Sequence, residues 1–558
     1  MLLINIKEKR SKGMKRGKLF KKLTAVTLTL ATVLGMMSFT GCKSGTSTGS
    51  VSTGKSITIQ MGNTEGDLDP AGVALGKFIQ YSRLCLEPLV TYDSNGKLQY
   101  CMAKSYTVSD DGLVWTFKLR EDGKWNDGST VTSKDFLNTI KRALDAKTST
   151  SIYADMLSPI VGASEAYAGK GYVENIGVKT PDDFTIEFTL TSPCSYFLKL
   201  VCLQCCYPSK DGVATAANSS WYTNPATNLA NGAYYMTEYV EGQYYKLAKN
   251  PNYYDADKVQ IEEITVKQID DATAAASAYK TGELDMATNL PAYIISEYKG
   301  KDDLILQPNV TTRFILFNKT KAPFDNVNVR LAITTALNRE DICKSVGEDY
   351  VASTSFVGKS MLSNLGNGMK FSDESGELVT ESEAKAKEYL AAAGYPDGAG
   401  FPTVTYNYPN NEQDKLIAQA IQAQLKKVLN INIELNGLES QVCVSERKAG
   451  NFDMTRHNWS ADYDDPMDYL LMWVSSSGLN DAKINDTEFD KLCADATAEM
   501  DANKRNELMH KAEKLLVTEK AYVAPISTFN TVTLINSKYT GYTFDSSGAI
   551  VMKFLKTK

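Results

Sequence analysis

Residues 403–435 read TVTYNYPNNEQDKLIAQAIQAQLKKVLNINIEL, and the change of period along them decides the fold class. Thr403–Tyr408 reads as a strand. Glu412–Leu429 then places Leu416, Ile417, Ala420, Ile421, Leu425 and Val428 on one helical face, and Ile431, Ile433 and Leu435 alternate as a second strand. A strand, a helix of this length and another strand imply a parallel pair joined by a right-handed crossover. At least one domain is therefore an α/β layer structure.

Outward from this unit, strand and helix signals alternate from residue 57 to the end. Val114–Leu119 alternates like a half-buried strand, Ser133–Leu144 follows as a helix, and Phe184–Leu190 and Phe452–Trp459 read as further alternating strands. With 43 % hydrophobic and 10 % aromatic residues the chain has a globular composition, and 558 residues are too many for one core. Two or three domains are expected.

The N-terminus reads as an address. Lys15, Arg16, Lys18, Lys21 and Lys22 precede an uncharged apolar stretch, Leu23–Phe39, which ends at Thr40-Gly41-Cys42. The basic flank and small-residue exit mark a signal peptide over residues 1–41 rather than a spanning helix. The exit resembles a lipobox, with Phe39 where Leu is usual, and this implies a lipid on the Cys42 thiol. Residues 42–55 are a Ser/Thr/Gly-rich tether. Residues 1–41 hold nine of the 60 basic residues and one of the 66 acidic ones, so the remainder carries a formal charge of −14. An acidic body is a poor nucleic-acid binder.

Two patterns in the tether are coincidental. Gly49–Ser56 matches a P-loop and Gly45–Gly49 a nucleophile elbow, but each needs a strand before it and a helix after it. Here a tether precedes them and the strand-like Ile57–Met61 follows. The nine cysteines after Cys42 are an odd number without a disulfide framework. Cys202, Cys205 and Cys206 lie in the apolar run Tyr196–Tyr207 and read as buried free thiols rather than zinc ligands.

From Ala103 the sequence becomes recognisable. AKSYTVSDDGLVWTFKLREDGKWNDGSTVTSKDF (Ala103–Phe136) closely resembles the signature of the dipeptide- and oligopeptide-binding proteins of ABC importers, the OppA-like solute-binding protein family 5. LEPLVTYDSNGKLQ (Leu86–Gln99) before it, and the run Asn231–Ile264, YKTGELDMA (Tyr279–Ala287), the run Phe317–Glu340 and SADYDDPMDYL (Ser460–Leu470) after it, fall in the family's order. The resemblance implies an α/β, two-lobed periplasmic-binding-protein-like fold (type II, cluster C) with an extra domain inserted in lobe one. Lobe one would comprise 56–92, 210–312 and 530–558, the insertion 93–209, and lobe two 313–529. Such a protein binds short peptides in an extended conformation between two closing lobes, without a cofactor or metal. Its partners would be the permease subunits of the importer and, through the lipid, the membrane; the chain is expected to be extracytoplasmic and monomeric.

A peptide binder indifferent to side chains should grip the two termini and the backbone. Asp462, in the family's Ala-Asp-Tyr motif, is the residue the resemblance assigns to the α-ammonium. Arg456 and Arg447 match arginines that meet the carboxylate end, and the Asn458-Trp459-Ser460 backbone would pair with the peptide, Trp459 also lining a side-chain pocket. Tyr153 matches a tyrosine near the ligand. Asp465, before Pro466, is suited instead to capping the helix that begins MDYLLMW. Two departures stand out: Asp414 replaces a histidine that helps hold the carboxylate of longer peptides, and Ser440 replaces a pocket tryptophan. A negative charge at Asp414 is expected to repel a ligand carboxylate.

Rival ligands within the same fold are oligosaccharides, for which the 30 tyrosines are a signal, and haem. Nickel is disfavoured because the chain has only His457 and His510. A hydrolase is the rival from another class, but no nucleophile–base pair is visible in the sequence.

Overall fold

The computed structural model describes residues 55–61, 66–72, 76–215, 217–218, 220–363 and 365–558. The signal peptide, Cys42, the tether up to residue 54 and the body of both rejected motifs lie outside them.

The unit at residues 403–435 folds as its period requires. Val404–Pro409 and Ile433–Leu438 pair in parallel, Val404 opposite Ile433 through to Pro409 opposite Leu438, and the helix Glu412–Leu429 joins them. Asn411 caps this helix, its Oδ1 accepting the Asp414 N–H at 2.8 Å. Asn430 ends it in the left-handed region at φ 54°, which delays the second strand to Ile433. Ile417, Ile421, Leu425 and Val428 are buried, Leu416 and Ala420 half-buried, and the small Ala418 is buried in their place. Asp414 heads the same buried stripe, a carboxylate on an apolar face.

These strands form one edge of an eleven-stranded mixed sheet. Inward from that edge come Met454–Ser460, then the long antiparallel pair Leu304–Phe317 and Val523–Ile535. Beyond lie Met286–Ala287, Ser56–Met61, Glu263–Gln268, Tyr244–Lys249 and Tyr234–Val240. The register of the long pair breaks between Pro308 and Thr312 and again between Arg313 and Phe314. On one side of the break Val532 and Leu534 pack with Ala275, Leu284 and Ile294; on the other, Ile315 and Ala524 pack with Ile333, Ile417 and Ile421. On the other face one larger cluster spans the break, joining Ile59, Met286 and Ile535 with Phe314, Leu316 and Val523.

Four antiparallel strands, Ala103–Val108, Val114–Leu119, Thr185–Thr189 and Val178–Asp182, form a second sheet in that order. Its period-2 pattern is satisfied: Trp115, Phe117 and Leu119 are buried. The helix Ser133–Leu144 starts at a capping box between Thr132 and Asp135.

Candidate functional site

The segment after the Met454–Ser460 strand carries four aspartates in seven residues, and the structure treats them unequally. Asp465 accepts the Met467 N–H at 2.9 Å, the capping role expected of it, and forms a buried fork with Arg505 at 2.7 and 3.0 Å. Asp464 lies 2.7 Å from Lys199 Nζ, which sits 3.4 Å from the centre of the Tyr92 ring. Asp468 Oδ2 accepts the Trp459 indole N–H at 2.8 Å and the Asp462 backbone N–H at 3.0 Å. The Asp462 carboxylate alone makes no hydrogen bond or ion pair with any described residue. Burial first, then the Asp155 carboxylate, push its pKa up to about 6.

Asp462 lines a cavity of about 1050 Å³, as do Tyr153, Tyr92 and Lys199. The charges around it are otherwise accounted for. Glu87 pairs with Lys553 at 2.7 Å, Arg83 with Asp545 at 2.6 Å, and the Arg120 guanidinium lies 3.2 Å over the Tyr254 ring. A half-enclosed carboxylate without a counter-charge is costly unless a cation arrives to pair with it. Asp93, also on the lining, accepts from the Asn95 and Lys97 N–H groups and from Gln99 Nε2, so among the described lining residues Asp462 is the charged side chain without a hydrogen bond or ion pair.

Beside this carboxylate runs an open strand edge. Met454–Ser460 pairs along its length with Leu304–Phe317, from Phe317 opposite Met454 to Thr311 opposite Ser460. On its other side Val404–Pro409 covers only Met454 and Thr455. Asp453 accepts the Asn318 N–H at 2.9 Å and Ala461 donates to Val310 O at 3.4 Å, so the odd-numbered residues bond inward. By the alternation of an antiparallel ladder, Asn458 and Ser460 turn their backbone groups to the uncovered edge. Among the described residues, the Asn458 N–H is met there only by its neighbour's ring, His457 Nδ1, at 2.8 Å.

The arginines sit apart from the cavity wall. Arg447, in the last turn of the helix Ser440–Ala449, is bound to the buried Asp481 at 2.7 Å. Arg456 Nε donates to Asp414 Oδ1 at 3.0 Å, and Arg313 Nη1 lies 3.0 Å from the same oxygen. Asp414 is thus covered by two guanidiniums, which changes the expected repulsion: its charge does not stand alone. Ser440 is an exposed helix residue. Sequence reading missed Arg313, although an arginine opening the apolar run Arg313-Phe-Ile-Leu-Phe317 is a signal, since a strand so buried must find its charge a partner.

Neither histidine faces the cavity. His457 is buried against Phe314, ring centres 4.9 Å apart, and burial pulls its pKa well down. His510 joins groups that the sequence separates: Ser375 Oγ is 2.7 Å from its Nδ1 and Glu374 Oε2 is 3.2 Å from its Nε2. The ring lies flat on Phe371 at 3.9 Å, and Asn506 donates to the same Glu374 oxygen at 2.6 Å. A nucleophile–base pair therefore exists in space, but its members knit the helix Phe371–Ser375 to the helix Ala502–Lys514.

A sequence profile described as bacterial extracellular solute-binding proteins, family 5 Middle, matches residues 97–481. The chain belongs to this family of solute-binding proteins. It is 30 % identical to the dipeptide-binding protein DppE of Bacillus subtilis over 84 % of this chain and 86 % of that one. Identity to the periplasmic oligopeptide-binding protein OppA of Escherichia coli is 30 %, covering 86 % and 88 % of the two chains. The unliganded open form of the murein tripeptide-binding protein MppA superposes with a TM-score of 0.78 at 27 % identity, over 90 % of this chain and 98 % of that one. The fold is accordingly the family's: α/β, two-lobed, with an extra domain inserted in the first lobe. No helix among the described residues is long and apolar enough to cross a membrane.

Proposed function

We propose that this family 5 protein is the extracytoplasmic, lipid-anchored receptor of an ABC importer and binds short peptides with free termini in an extended conformation. The observation that carries the reading is the Asp462 carboxylate, unpaired on the cavity wall while Asp464, Asp465 and Asp468 are each engaged. A peptide α-ammonium is a cation of the right size to complete it. The uncovered backbone of Asn458 and Ser460 offers strand pairing next to it, which recognises any peptide whatever its side chains. DppE, OppA and MppA are named for dipeptides, oligopeptides and a murein tripeptide, which favours this ligand class over sugar or haem.

In this reading lobe one is 56–92, 210–312 and 530–558, the insertion 93–209 and lobe two 313–529. The register break beside Thr312 and Asn530 supports the hinge at these crossings. Peptide meets the open form, and the closed form gains the contacts; ligand shifts the balance only by its preference for the closed state. The monomer is held at the membrane by lipid on Cys42, and the permease withdraws the peptide from the closed form.

The test is native mass spectrometry of residues 43–558, followed by denaturing release and sequencing of what is bound. A ladder of short peptides with free termini is expected. An empty protein that ignores a peptide library and is stabilised by an oligosaccharide or haem would overturn the peptide reading. Incorporation of labelled fatty acid into the full chain, lost in Cys42→Ser, tests the anchor.

A further inference from the structure

One carboxylate, Asp414, stands between two arginines on adjacent strands. Arg313 lies opposite Asn458, and Arg456 opposite Ile315, so the two arginines are diagonal neighbours on one face of the sheet. Asp414 reaches that face from the first turn of the helix Glu412–Leu429 and is held by Asn411, whose Nδ2 donates to Oδ2 at 2.8 Å. The side chain of Asp414 is 1 % exposed, that of Arg313 8 % and that of Arg456 19 %. The cluster carries a surplus of one positive charge. Asp349, the other acid facing Arg313, lies beyond ion-pair distance.

The two cations differ in freedom. Arg313 is set between rings, its guanidinium carbon 5.4 Å from the centre of Tyr350 and 5.1 Å from Phe529. Its Nε and Nη1 make no hydrogen bond with any described residue, although Nη1 is in ion-pair range of Asp414. Arg456 is the more exposed and stands next to the uncovered strand edge, with Nη1 donating to Asn458 Oδ1 at 2.5 Å. Arg447 has its own carboxylate in Asp481 and adds nothing to the surplus.

We infer that Arg313 is a positioning residue for carboxylate recognition: fixed in its aromatic slot, it neutralises Asp414 and so leaves the charge of Arg456 to the carboxylate end of the ligand. Without Arg313, Asp414 and Arg456 form a closed pair and the site is neutral. Without Asp414 both arginines are open. The inference rests on the peptide reading and adds to it the residue that sets the preference for a free C-terminus.

The experiment titrates trialanine and its C-terminal amide into the wild type, Arg313→Gln, Asp414→Asn and the double variant by calorimetry. The wild type is expected to prefer the free acid by about tenfold or more, the scale of one charge-assisted hydrogen bond. Arg313→Gln should bind acid and amide equally, Asp414→Asn should exceed the wild-type preference, and the double variant should recover it. An Arg313→Gln variant that keeps the wild-type ratio overturns the inference. So does a double variant that stays as indifferent as Arg313→Gln, because a merely structural loss is not repaired by removing Asp414. Equal binding of both ligands by the wild type overturns the inference alone; binding of neither overturns the peptide reading along with it.

Discussion

Asp468 holds Asp462 by the backbone and leaves its side chain alone: Asp468 Oδ2 accepts the Asp462 N–H at 3.0 Å. The same oxygen anchors the Trp459 indole, so the end of the strand and the start of the acidic loop share one acceptor. Asp468 is buried, and desolvation followed by the charge of Asp462 raises its pKa well above the carboxylate range. A rigid backbone under an unpaired side chain is the arrangement expected of a residue that waits for a ligand.

Replacing Asp462 separates binding from stability. Asp462→Asn removes the partner of the ammonium and should weaken short peptides by about 10–100-fold, while N-acetylated peptides, weak on the wild type, lose nothing further. The variant should also melt higher than the wild type without ligand, because an unpaired half-buried charge has gone. Calorimetric titration and thermal unfolding check both. A variant that binds free and acetylated peptides as the wild type does would remove Asp462 from the site.

The raised pKa of Asp462 sets a pH window. Only the ionised carboxylate pairs with an ammonium, so affinity should be flat above about pH 7 and fall about tenfold per unit below about 6. For stability the sign is the reverse. The folded pKa lies above the unfolded value of about 3.9, so the Asp462 contribution is present below about pH 4 and lost as pH rises through about 6. The melting advantage of Asp462→Asn should therefore show at pH 8 and vanish at about pH 4. A pH-independent advantage would contradict this account.

The Ser375–His510–Glu374 cluster is predicted to be structural. Ser375→Ala should cost about 1 kcal/mol of stability, measured by urea unfolding, and leave peptide binding unchanged. Bound peptide should be recovered uncut after prolonged incubation. Covalent capture of Ser375 by a serine-directed phosphonylating reagent would show that the cluster activates its hydroxyl.

Nine thiols should remain unreactive in the folded protein. Eight are buried; Cys202 is half-buried, lines the cavity and lies 3.2 Å from the carbonyls of Val90 and Leu198. Burial pushes its pKa up to about 12, which leaves about one thiolate in ten thousand at pH 8. Alkylation at pH 8 should be slow everywhere, with Cys202 first, and bound peptide should slow it further. Rapid native labelling of any other cysteine would contradict the packing described here.

Legibility followed the range of the interactions. Glu412–Leu429 and Ser133–Leu144 begin and end where periodicity and caps place them, because Asn411 and Thr132 act within three residues of themselves. Ile433 starts its strand later than alternation suggests because Asn430 turns the chain, a backbone event that side-chain period does not encode. Asp465 as a cap was readable, since its partner is Met467; its fork to Arg505 was not, since 40 residues intervene. His510 and Ser375 meet across 135 residues, and no spacing rule reaches that far.

By itself the sequence determined the elements, the α/β class, the acidic body, the family resemblance and Asp462 as the ammonium candidate. Each rests on local period, composition or an ordered set of motifs. Only the tertiary structure decided which of the four neighbouring aspartates is left without a partner, that Asp414 is shared by Arg313 and Arg456, and which strand edge stays uncovered. These are properties of charge pairing and hydrogen bonding between distant segments, and a carboxylate's availability depends on what the fold sets against it.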